Sequence, residues 1–225
     1  MPFYMRLPES GIPGFSVIAA RITPLSDVRI RYDTEVILDE GTEGFFVIGN
    51  DIIPLWNGVA LEDAFNLHFP NNKMRHNERG RLENVAFYVY RKDVSGCSVG
   101  LSSQLEFVDK EDGKRKKLRT YWNYSLTLSY VNGDGLRRHI EKSDNWTLTL
   151  TDCCSICRES GDLAQLLSDE IREALEGENG VPFSMIRQKE RMIEENIKAA
   201  FNKNSTKITG FKIDRLRIGN IELVD

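Results

Sequence analysis

The feature that most restricts what this chain can fold into is a change in the period of its apolar residues. From Ser160 to Val224 the chain reads as helix, helix, then a long strand, after a half that reads almost wholly as β. Leu163, Leu166, Leu167, Ile171, Ala174 and Leu175 fall on one stripe at helical spacing, and Gly177 stands where a left-handed cap would end that helix. Ile186, Ile193, Ile197 and Ala200 form a second stripe, with Arg187, Lys189, Glu190, Glu194 and Glu195 largely outside it. Lys207 to Leu223 then reads as a strand. Each helical stripe must be covered by another apolar layer, and the preceding β segments can supply one. The expected class is α+β: an antiparallel, β-rich N-terminal two-thirds, then two amphipathic helices and a C-terminal strand.

The first part of the chain divides at its turns. Residues 1–27 are rich in Pro and Gly and read as an N-terminal arm, with at most one short strand around Ser16 to Ile22 and free to lie on a partner subunit. Residues 28–75 read as a β-meander subdomain. Val28, Ile30 and Tyr32 alternate, Val36 and Leu38 follow, and Phe45 to Ile48 runs into the hairpin signal Gly49-Asn50-Asp51. Ile52, Ile53, Leu55 and Trp56 make the return strand, and Pro54 assigns it to a sheet edge or a bulge. Leu61 to Phe69 closes the meander after a turn at Asn57-Gly58. The polar stretch 71–81 is the boundary to an α+β subdomain over 76–225. There Val85 to Tyr90, Gly100 to Val108 and Leu118 to Val131 read as strands, Asp109 to Lys117 as a hairpin tip, and Gly133-Asp134-Gly135 as a turn.

Composition excludes several functions. With 225 residues and a formal net charge of −4, the chain lacks the strongly basic balance of a dedicated nucleic-acid binder. No stretch reaches the roughly 20 apolar residues that span a bilayer, and no secretory signal is evident. The expectation is a cytoplasmic protein with reduced thiols. The four cysteines include the run Cys153-Cys154-Ser155-Ile156-Cys157, whose C-x-x-C pair could form half a zinc site or a redox pair. No second ligand pair accompanies them, and buried thiols are the simpler reading. The sequence contains no nucleophile elbow, phosphate-binding loop or zinc-protease helix motif, so the expectation is no enzymatic activity, no cofactor and no metal.

Two surfaces stand out instead. Lys114, Arg115, Lys116 and Lys117 could meet anionic lipid, although Asp109, Glu111 and Asp112 lie beside them. The outer face of the second helix offers Arg187, Lys189, Glu190 and Glu194. A third feature, the aromatic strand 119–130 with Tyr121, Trp122, Tyr124 and Tyr130, could floor a small-molecule or nucleic-acid binding module, or simply fill a sheet.

Val36 to Ile52, Val85 to Tyr90 with Val99-Gly100 and Phe107-Val108-Asp109, the segment Asn123-Tyr124-Ser125-Leu126, and the closing Gly210 to Ile221 resemble the SPFH or band-7 superfamily of stomatin, prohibitin and flotillin. Their order is most similar to its bacterial virion-core-protein-like branch. The resemblance covers about residues 28–224 and rests on strand and turn patterns. It implies a non-enzymatic, bacterial scaffold domain that forms homo-oligomers, recruits protein partners and sits at the inner face of the membrane through peripheral contact with anionic lipid.

Overall fold

The computed structural model describes residues 2–9, 16–23, 30–71, 85–99, 105–128, 133–159 and 162–224, with the backbone alone at 95–99 and 122–128. In chain order the first elements are β1 (Phe3–Met5), β2 (Val17–Ile22), β3 (Val36–Leu38), β4 (Thr42–Ile48), β5 (Asp51–Leu55), α1 (Leu61–His68) and β6 (Val85–Arg91). Next come β7 (Asp93–Val99), β8 (Leu105–Val108), β9 (Arg115–Leu128), α2 (Gly133–Lys142), β10 (Thr147–Thr149) and α3 (Leu150–Glu159). The last are α4 (Leu163–Glu176), α5 (Glu190–Asn204), α6 (Thr206–Thr209) and β11 (Phe211–Val224). The fold is α+β.

These elements form two compact units, Met1–Asp93 with Leu128–Leu150, and Val94–Thr127 with Thr151–Asp225. The units are interleaved and do not follow the sequential division expected at residues 27 and 75. The reason lies in the first unit's strand pairing. Its antiparallel sheet has the order β10-β2-β6-β4-β5, so β2, expected in a free arm, is an interior strand. Phe3 and Met5 on β1 are also buried, and β1 pairs in parallel with β3.

Alternation along β4 and β6 sends large side chains to both faces of this sheet. Phe46, Phe87 and Val89 join a core with Phe3, Met5, Leu38, Leu61 and Phe65. Phe45, Tyr88 and Tyr90 point the other way and are equally buried, Phe45 stacking on Tyr88 with ring centroids 4.8 Å apart. Leu136 and Ile140, one turn apart on α2, are buried, and α2 packs against β2 and β10. A helix therefore begins where a glycine-rich turn was expected. The meander's last segment is also a helix: Leu61, Ala64 and Phe65 make a buried stripe, with Glu62 and Asp63 in its first turn and His68 in its last. Gly44 is required by close packing, since a Cβ there would lie 3.0 Å from the Tyr88 carbonyl oxygen and 3.1 Å from the Met5 methyl. As expected, Gly49 turns β4 into β5 with a positive φ of 60°, and Pro54 lies on an edge strand.

In the second unit the sheet order is β11-β9-β7, with β8 paired to β9. The β8–β9 hairpin pairs Val108 with Arg115 and turns through the expected tip. Both expected helical stripes are present. Leu163, Leu167, Ile171, Ala174 and Leu175 are buried on α4; Ile193, Ile197 and Phe201 are buried on α5. The two helices pack on each other, α4 against β8 and α5 against β11. Several details differ from expectation. Residues 207–209, expected in the closing strand, belong to α6, and Ala200 is half-buried while Phe201 takes the buried place on α5. Ile186 lies on a separate 3-10 segment, Phe183–Lys189, ahead of α5. Gly177 has a φ of −57° and is not a left-handed cap; it leaves α4 by donating its N–H to Glu173 O at 2.9 Å. A left-handed glycine cap stands instead at Gly210, with φ 78°, which ends α6 and precedes β11.

Candidate functional site

In the second unit, the hairpin-tip cations are largely committed to local acids. Lys116 Nζ lies 2.6 Å from Asp109 Oδ2 and 3.1 Å from Asp112 Oδ2, and Lys117 lies 3.2 Å from Glu106. Asp109 is buried, and its Oδ1 accepts backbone N–H bonds from Glu111 at 3.1 Å and Phe183 at 3.2 Å. Burial alone would raise its pKa, but the Lys116 hydrogen bond and the two backbone donors hold the carboxyl below its ordinary range. Lys116 is correspondingly raised by its bonds to Asp109 and Asp112. The hairpin is thereby tied to the segment after α4; Lys110 Nζ adds a 2.7 Å bond to the Gly177 carbonyl. Lys114 and Arg115 are exposed. Of the aromatic strand, Thr120 is buried and Tyr121 is 37% exposed, while the side chains of 122–128 and residues 129–130 lie outside the described residues.

The surface of the second helix is organised differently from the expected solvated face. Arg187 bonds Glu190 at 2.6 Å and reaches the Asn220 side chain on β11 at 2.8 Å. Lys189 is half-buried at the entry to α5. Glu194, expected on the outer face, is buried: its Oε1 accepts the Ile218 N–H at 2.9 Å and its Oε2 lies 3.4 Å from Arg217 Nη1. A strand-edge N–H needs an acceptor, and the carboxylate one turn beyond Glu190 supplies it.

Around Glu194, α5 and β11 enclose a charged groove of about 570 Å³, lined by Arg191, Glu194, Glu195 and Lys198 from the helix and by Asp214, Arg215, Leu216 and Arg217 from the strand. The burial pattern of β11 explains the strand wall. Ile213, Leu216 and Ile218 face inward, and Asp214 and Arg215 are exposed in succession. This break in alternation turns Arg215 out where a regular strand would bury it. Glu195 forms a 2.6 Å ion pair with Lys198. That hydrogen bond, helped by the charges of Lys198, Arg191 and Arg217, lowers the Glu195 pKa. Neither Arg191 nor Arg215 forms an ion pair with any described residue. The walls of the groove offer charged and hydrogen-bonding groups and one apolar side chain, Leu216.

No protein-family model matches the chain, and none of the curated proteins matches it.

On α3, Cys153 and Cys157 are buried one turn apart. Burial pushes both thiols well up, reinforced by neighbouring cysteines, so they are protonated and poor nucleophiles or ligands. Among the described residues no group of three or more His, Cys, Asp or Glu is placed to hold a metal ion. No helix among them is long and apolar enough to cross a membrane.

The sequence reading named Glu194 and the cations of the hairpin but missed Arg191, Lys198, Arg215 and Arg217. The available signal was the interruption Ile213-Asp214-Arg215-Leu216, one of two in the alternation of the strand, the other being at Gly219-Asn220.

Proposed function

We propose that this protein is a non-enzymatic, SPFH-like scaffold domain that self-associates and recruits protein partners at the cytoplasmic face of a membrane. The observation that carries the reading is the edge of the first unit's sheet at β5, which has no second strand partner among the described residues. β5 ends the strand order, Pro54 removes one of its donors, and Trp56, immediately after it, is 45% exposed. An edge strand with an exposed indole beside it suits pairing with a second copy, while the proline limits how far such pairing runs. The sequence resemblance points to the same kind of assembly.

Light scattering coupled to size exclusion, across protein concentration and with and without anionic vesicles, tests this. A defined oligomer that Trp56→Ser weakens is the expected result. A monomer at every concentration that ignores both vesicles and partners would overturn it.

A further inference from the structure

We propose that the α5–β11 groove is a binding site for a compact phosphate anion, a phosphate monoester, held between Arg191 on the helix wall and Arg215 on the strand wall. The inference rests on the groove alone and stands whether or not the chain self-associates.

The charge inventory of the walls is the first argument. Four cations line the groove, Arg191, Lys198, Arg215 and Arg217, against three carboxylates. Two of those carboxylates are committed: Glu194 to the Ile218 N–H and Arg217, Glu195 to Lys198. Asp214 also has a partner within the protein. Arg191 and Arg215 remain without a carboxylate partner among the described residues. Two guanidinium groups facing one groove repel each other unless an anion lies between them.

The second argument is placement. β11 breaks its alternation at Asp214 and Arg215, and the break brings the Arg215 side chain to the groove. Such interruptions re-aim side chains next to binding sites. Glu194 and Asn202 tie α5 to the strand on either side of the break, through Ile218 and Ile213, so both walls are fixed before a ligand arrives.

The third is ligand chemistry. Guanidinium forks match phosphate oxygens bidentately, and a phosphate monoester carries about −1.5 to −2 charges near neutral pH with three strong acceptor oxygens. A single carboxylate would leave one of the two guanidiniums uncompensated. The volume leaves room for the organic part of a phosphate monoester beside its phosphate group.

The test is calorimetric titration of the whole chain with inorganic phosphate and with glycerol phosphate, sodium chloride holding the ionic strength constant. Saturable, single-site binding is expected, weakened about tenfold or more in Arg191→Gln/Arg215→Gln and unchanged in Lys203→Gln, a control on the exposed end of α5. Thermal melting without ligand establishes that the double variant folds. Phosphate binding no tighter than chloride, or equal in wild type and double variant, would overturn the proposal. Binding to vesicles containing phosphatidic acid with none to either free phosphate would also overturn it, because it would reflect surface charge and not this groove.

Discussion

Asn202 on α5 and Ile213 on β11 exchange two hydrogen bonds: the Asn202 side chain donates to the Ile213 carbonyl at 2.9 Å and accepts the Ile213 N–H at 2.8 Å. An amide side chain here takes the place of a neighbouring strand. With Glu194 on the Ile218 N–H, it covers the outer edge of β11 from the helix side.

Asn202→Ala removes both bonds and leaves two backbone groups of Ile213 without partners. Urea unfolding is expected to show a loss of about 1–3 kcal/mol. Asn202→Asp keeps the acceptor and loses the donor, and its loss in the same measurement should be smaller.

Glu194→Gln preserves a carbonyl acceptor for Ile218, whereas Glu194→Ala leaves that N–H buried and unpaired. The alanine variant should be the less stable by about 1–2 kcal/mol. Equal stabilities would show that the Ile218 bond contributes little.

Asp109 makes stability acid-sensitive. Its folded-state pKa lies below the ordinary value of 3.8. Its contribution is therefore full above that value and is lost as the pH falls from there through the lower folded-state value. Asp109→Asn should flatten the stability–pH curve in this range. Asp109→Ala should cost about 1–3 kcal/mol at neutral pH by leaving the Glu111 and Phe183 N–H groups without their acceptor, while Lys116 keeps its bond to Asp112.

Cys153 and Cys157 are expected to resist iodoacetamide at neutral pH in the folded protein and to react rapidly in denaturant, because burial keeps both thiols protonated and covered. Mass spectrometry of alkylated peptides reads the difference. Prompt labelling of both in the native protein would contradict the packing of α3.

The sequence displayed the elements whose apolar pattern is strong and local. The stripes of α4 and α5, the Gly49 hairpin, the Pro54 edge and the 109–117 tip all rest on neighbours close along the chain. What it hid depends on distant partners. β2 is interior only because β6 and β10 flank it, some 60 residues and more away in sequence. α1 and α2 are short, and their helical stripes of two or three residues resemble strand alternation broken by turns. Glu194 looked solvated because a charged residue beside a helical stripe usually is. Its burial follows from the unpaired N–H of Ile218, which sequence alone does not reveal. The groove was hidden for the same reason: half its wall comes from β11, which lies beyond α6 and folds back along α5.

The interleaving of the two units constrains how the chain can be made and cut. The path passes between units three times, at residues 93–94, 127–128 and 150–151. During synthesis on the ribosome, β2 waits for its last partner, β10, until residues 94–127 have already emerged. β9 then waits for β11 until residues 211–224 have emerged. No single truncation point yields one unit free of residues of the other, and a nascent chain halted between residues 128 and 211 leaves β9 without β11. Excising residues 94–127 and rejoining the ends, in contrast, would leave the first unit's sheet with all its strands.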